Sequence, residues 1–162
     1  MKRMKFNRAE MAKKLFEEGY NCSQSVFLAF QDLYEVEFET ALRLSSSFGG
    51  GMGRLREVCG AVSGMFMVAG LLYGYSDPED QEAKTKHYER IQELAREFKE
   101  QNHSIICREL LGLDEGADHP TPALRTKEYY EVRPCVELVG TAAEIMEHYI
   151  EERNIRWRKS RF

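Results

Sequence analysis

Apolar side chains return along this chain at steps of three and four, the spacing of one face of an α-helix. Ala9, Ala12, Leu15 and Phe16 make the first such face, and Gly19 is a natural C-terminal stop for it. Asn21-Cys22-Ser23-Gln24 has the form of a capping box and predicts a second helix, with Val26, Phe27, Phe30, Leu33 and Tyr34 on its apolar side. Glu39 to Ser46 predicts a short third helix. Val58 to Tyr73 is apolar on every side and reads as a helix buried in a core. Asp77-Pro78 predicts the start of a long helix reaching about Gln101, with Ala83, Tyr88, Ile91, Leu94, Ala95 and Phe98 as its buried stripe. Ser104 is placed to cap a helix ending near Gly112. Pro134 is expected at the first position of a last long helix that buries Cys135, Leu138, Val139, Ala142, Ile145, Met146 and Tyr149. Strand-like alternation is confined to Val36–Phe38 and Tyr129–Val132. The expected fold class is all-α, a compact helical bundle formed as a single domain over residues 1–162.

Composition narrows the function. Hydrophobic residues are 43% of the chain and charged residues 31%, the balance of an ordinary globular domain and not of a disordered one. Lys plus Arg is 23 against 27 for Asp plus Glu, so the formal net charge is −4 and a general nucleic-acid binder is not expected. The apolar run at Val58–Tyr73 is shorter than the roughly 20 residues that span a bilayer and is broken by Gly60, Ser63, Gly64 and Gly70, so membrane insertion is not expected. The basic N-terminal residues lead into no apolar stretch and no cleavage site, which sets a cytoplasmic location as the expectation. Cysteines there are normally reduced, so four of them point to a metal site, to redox work or to plain core packing.

Those cysteines are Cys22, Cys59, Cys107 and Cys135, separated by 37, 48 and 28 residues. With no CxxC pair, neither a thioredoxin motif nor a zinc finger is present. Position says more than spacing. Cys22, Cys107 and Cys135 each fall in the first turn of a predicted helix, and Cys59 opens the most apolar one. Unpaired N–H groups and the helix dipole favour a thiolate there, the form that attacks disulfides and binds metal. Two accounts stand at this point: four small core residues, or four sulfurs converging on one site. The glycine-rich stretch Phe48-Gly49-Gly50-Gly51-Met52-Gly53 lacks the ending of a phosphate loop and is expected to be a turn. Gly50 and Gly51 in it, and Gly60 and Gly64 on one face of the next helix, are the positions where backbone could approach a cofactor or another helix closely.

Taken together, Gly19-Tyr20-Asn21-Cys22-Ser23-Gln24, Cys59-Gly60-Ala61-Val62-Ser63-Gly64, Cys107 before Glu109-Leu110-Leu111-Gly112, and Cys135 resemble the C_GCAxxG_C_C family, whose redox role is inferred from its cysteines. The family-like region is about residues 7–150. The central motif here reads Cys-Gly-Ala where the family label reads Gly-Cys-Ala. The resemblance implies an all-helical domain and a redox role. Related domains in some multihaem cytochromes suggest an iron–sulfur cluster, although the CxxCH haem-attachment motif is absent from this chain.

The resulting expectation is a redox-active protein with an unidentified redox partner. Its four cysteines are expected to bind an iron–sulfur cluster for electron transfer. Thiol–disulfide chemistry without metal is the first alternative, and a structural zinc site with four cysteine ligands the second. His87 and His148 are expected on the surface. His103, four residues before Cys107, is near enough in sequence to raise its reactivity. The basic tail 153–162, with Trp157, is expected to be a solvated helix end, its charges complementing the helix dipole.

Overall fold

The computed structural model describes residues 7–114 and 116–159, with side chains up to Asn154. The basic N-terminal residues and the tail beyond Asn154, Trp157 included, lie outside the described residues and side chains. Within them the protein is all-α. The helices are α1 (Arg8–Glu17), α2 (Cys22–Leu28), α3 (Phe38–Ser46), α4 (Gly49–Met52), α5 (Gly60–Tyr73), α6 (Gln81–Asn102), α7 (Cys107–Leu111), α8 (Lys127–Val132) and α9 (Cys135–Lys159).

The apolar helix α5 is the centre of the fold and packs against α2, α6 and α9, while α1 lies along α9. Phe16, Phe27, Phe30, Met65, Leu94, Phe98 and Met146 are fully buried between these elements. Burying each such side chain contributes about 1.5–3 kcal/mol.

The start of α2 is held twice over. The Gln24 N–H donates to Asn21 Oδ1 at 2.9 Å and the Asn21 N–H donates to Gln24 Oε1 at 3.0 Å, which closes the capping box. The same side chains donate onward to α3, Asn21 to the Ser46 carbonyl and Gln24 to the Leu42 carbonyl, both at 3.1 Å. Asn21→Ala removes the cap and the tie together. It is expected to cost about 1–2 kcal/mol, seen as a lower midpoint in urea unfolding with an unchanged slope.

Several boundaries differ from the sequence expectation. Helix α2 ends at Leu28 instead of running on to Tyr34, and a single 3₁₀ turn, Gln31–Leu33, follows. The Tyr34 hydroxyl donates to the Phe27 carbonyl and its ring stacks on Phe27 at 5.2 Å, which folds the chain back where a longer helix would have carried it away. Helix α6 is capped by Asp80, whose Oδ1 accepts from the Ala83 N–H at 2.9 Å. Asp77 and Pro78 form the turn before it, Asp77 accepting from the Glu79 N–H at 2.9 Å. On α6 Leu94 and Phe98 are buried as expected, but the stripe begins at His87, and Tyr88 is 52% exposed. His87 Nδ1 lies 2.9 Å from the Arg90 guanidinium, which also donates to the Tyr149 hydroxyl at 2.8 Å, so a polar pair draws the ring inward. Burial, then the Arg90 charge, hold the imidazole below its ordinary pKa and hence neutral. His148 is exposed as expected. Tyr129–Val132 lies in helix α8, started by Thr126, whose hydroxyl accepts from the Tyr129 N–H at 3.2 Å. At α7 the N-cap residue is Ile106, and Ser104 Oγ accepts from its N–H at 2.9 Å. Cys135, not Pro134, is the first residue of α9. Arg153 is held to the body of the protein, 3.6 Å from Glu93 and 3.3 Å over the Tyr149 ring.

Candidate functional site: four cysteines around one cavity

Each cysteine stands at a helix start. Cys22, Cys107 and Cys135 are the first residues of α2, α7 and α9, and Cys59 is the N-cap of α5. An isolated antiparallel bridge between Val58 and Ile106 brings two of them together. Around it the Cys59 N–H donates to the Ile105 carbonyl at 2.8 Å and the Cys107 N–H to the Glu57 carbonyl at 2.6 Å. Packing of α2 and α9 on α5 supplies the other two. All four cysteines line one cavity of about 40 Å³. A water needs roughly 10–15 Å³ by this measure, so the space holds about three. All four thiols are free of disulfides. Each lies within electrostatic reach of the other three.

Glycine makes the approach tight enough. Gly50, Gly51 and Gly60 line the same cavity. The glycine-rich stretch is a left-handed helical turn, with φ of 70°, 67°, 68°, 64° and 67° from Gly50 to Arg54. A left-handed residue other than glycine costs roughly 1–2 kcal/mol, and three of these five are glycine. Gly51 has a second constraint, because a Cβ there would stand 2.6 Å from Cys107 Cβ and 2.8 Å from Arg56 Cα. A Cβ on Gly60 would stand 2.8 Å from the Phe48 carbonyl oxygen and 3.1 Å from Cys22 Cβ. Gly64 faces α2 instead, and a Cβ there would meet the Ser23 carbonyl oxygen at 2.7 Å.

The four thiols are not equivalent. Burial pushes Cys59 up to about 12. Burial also raises Cys107, against the pull of the Arg56 guanidinium, whose Nη1 donates to Cys107 Sγ at 3.6 Å. Cys22 is raised well above the ordinary thiol value, first because it donates its proton to Cys135 and then because it is buried. Cys135 alone is lowered, to about 6. It accepts from Cys22 and from the Tyr129 hydroxyl, and Arg133 and Arg125 add positive charge, which together outweigh its burial. The expectation that a helix start lowers every thiol therefore fails for three of the four. Desolvation exceeds the effect of the helix dipole wherever no cation or added donor faces the sulfur.

Arg56, Tyr129, Arg125 and Arg133 are the site residues that sequence reasoning passed over. Arg56 and Arg133 stand three and two residues before a cysteine, a basic flank visible in the sequence. Tyr129 was hidden by the strand-like look of its segment. His103 is exposed at the left-handed C-cap of α6, outside the cysteine cavity. Among the described residues, no group of three or more His, Cys, Asp and Glu side chains is placed to hold a single metal ion. Nor is any helix among them long and apolar enough to cross a membrane.

Fold and site define a class: an all-α protein that gathers four free cysteines at helix starts. A family model described as "Putative redox-active protein (C_GCAxxG_C_C)" matches residues 20–149, and the chain belongs to that family. No curated protein and no solved structure matches the chain.

Proposed function

We propose that Cys22, Cys59, Cys107 and Cys135 ligate an iron–sulfur cluster and that the protein passes electrons to a redox partner in a reducing, cytoplasmic compartment. The observation that carries this is the single cavity lined by all four sulfurs. Four cysteine thiolates are the usual ligand set of such clusters, and a bound cluster supplies one-electron transfer. Gly50, Gly51 and Gly60 keep side chains out of the space beside the sulfurs. The Arg56 guanidinium at Cys107 Sγ is a donor of the kind that raises a cluster's potential.

One observation favours thiol–disulfide chemistry as the second account. Cys22 and Cys135 line the same cavity and perturb each other, and Cys135 is the one thiol drawn down to about 6, so a candidate attacking thiolate has a candidate resolving partner beside it. Joining them would release two protons and pass two electrons to an acceptor dithiol–disulfide couple. A structural zinc ion is supported least, because no three candidate ligands among the described residues are grouped for one ion.

The test is iron, acid-labile sulfide and zinc measured on protein purified without oxygen, with the visible spectrum of the same sample. Stoichiometric iron and sulfide with a brown colour, both lost in Cys59→Ser, is the expected result. Colourless, metal-free protein that refuses reconstitution would overturn the cluster in favour of the dithiol couple. Stoichiometric zinc would overturn both redox accounts.

A further inference from the structure

Beside the cysteine cavity lies a larger opening of about 250 Å³, and Cys135 and Tyr129 line both. Its charge is unlike that of the protein as a whole. Arg54, Arg56, Arg125 and Arg133 all line it, and no carboxylate is among the described residues that do. The chain carries a formal net charge of −4, so four guanidiniums around one opening reverse the overall sign locally.

Three of the four are fixed by the fold. Arg54 donates from Nε to the His119 carbonyl at 2.7 Å. Arg56 donates from Nε to Asp118 at 2.8 Å, and that carboxylate is also 3.6 Å from Arg54. Arg125 donates to the Phe16 and Tyr20 carbonyls at 2.9 and 3.2 Å and lies 3.9 Å over the Phe16 ring. Backbone carbonyls hold an arginine in place without neutralising it, so Arg125 keeps its full charge in the wall. Arg133 is different, since its guanidinium makes no hydrogen bond and no salt bridge among the described residues. Its donors are free to close on a ligand. Guanidinium forks match the paired oxygens of carboxylates and phosphoryl groups.

We propose that this opening binds a small dianion, one bearing a phosphoryl group or two carboxylates, and holds it between Arg133 and the fixed arginines against the Cys135 side of the cysteine site. The volume sets the scale, just below the usual range for drug-sized ligands and suited to a small anion. This goes beyond the redox assignment and does not depend on which cysteine chemistry is correct. A dianion bound here touches the wall that Cys135 shares with the cavity, so it is placed to meet whatever chemistry the sulfurs carry.

The test is calorimetric titration of the purified protein with inorganic phosphate and, separately, with succinate, at low ionic strength. It is run once on protein kept anaerobic and once after iron removal. Saturable one-to-one binding of at least one anion is expected, weakened by about tenfold or more in Arg133→Gln. Arg96→Gln, an exposed arginine on α6, is expected to bind as wild type. Preference for phosphate would assign a phosphoryl ligand, and preference for succinate a dicarboxylate. No saturable binding of either anion would overturn the proposal, as would equal affinity in Arg133→Gln or an equal loss in Arg96→Gln. Since the titration reads no iron, a failed cluster assignment leaves its outcome intact.

Discussion

Gly64→Ala is expected to destabilise the protein by about 2–3 kcal/mol, lowering its melting temperature by roughly 5–10 °C. The sign runs against helix propensity, because alanine in a helix interior is ordinarily better than glycine by about 1 kcal/mol. Here the added methyl would sit 2.7 Å from the Ser23 carbonyl oxygen and 3.0 Å from Val26 Cβ. The first of these is the backbone of α2, which cannot rotate out of the way as a side chain end could. The helices must move apart at a seam where Val26 and Val62 are fully buried. Gly70 in the same helix is the internal control. A Cβ there has nothing within 4 Å, so Gly70→Ala is expected to stabilise by about 0.5–1 kcal/mol. Thermal and urea unfolding of the two variants decides the matter. A Gly64→Ala protein as stable as the Gly70→Ala one would mean that α2 and α5 have slack, and that their spacing does not fix the Cys22–Cys59 separation.

That packing explains what could be read from the chain beforehand. Local signals were legible. The Asn21–Gln24 box and the left-handed glycine stop at Gly112 act within one turn, so their residue types declare them. Asp77-Pro78 misled for a local reason too, since Asp80 three residues later is an equal cap and the proline turn is used up before it. The placing of cysteines at helix starts was equally local. Their convergence was not, because separations of 37, 48 and 28 residues are closed only by the Val58–Ile106 bridge and by helices meeting at glycine. The direction of each thiol's shift was least legible of all. It depends on how deeply each sulfur is buried and on which groups face it: the donors to Cys135 come from α2 and α8, and the positive charge near it from Arg133 and Arg125.

The unequal thiols lead to the second large effect. On reduced, metal-free protein, alkylation of Cys135 by iodoacetamide is expected to rise with pH to a plateau with its midpoint near 6, while Cys59 stays unmodified. With values of about 6 and about 12, the thiolate populations at pH 7 differ by about 10⁵. A less basic thiolate is a weaker nucleophile, by about 10³ over that range, so the net preference for Cys135 is about a hundredfold. Access acts in the same direction, because Cys135 lines the larger opening and Cys59 only the small cavity. Cys22→Ala removes the largest contribution to the low value, and Tyr129→Phe removes a smaller one. Both are expected to move the midpoint upward, the tyrosine variant by about one pH unit. The same ionisation appears in stability. Cys135 is lowered on folding from 9.0 to about 6, so its contribution is fully present above pH 9 and is lost as the pH falls through 6. Buried Cys59, raised on folding, works the other way and costs stability as the unfolded thiol ionises above its own ordinary value of 9.0. Peptide mapping of the alkylated protein across pH 5 to 9 separates the residues. A Cys135 midpoint at the ordinary thiol value, or one that Cys22→Ala leaves in place, would remove the thiolate from the disulfide account and leave the cysteines only their role as ligands.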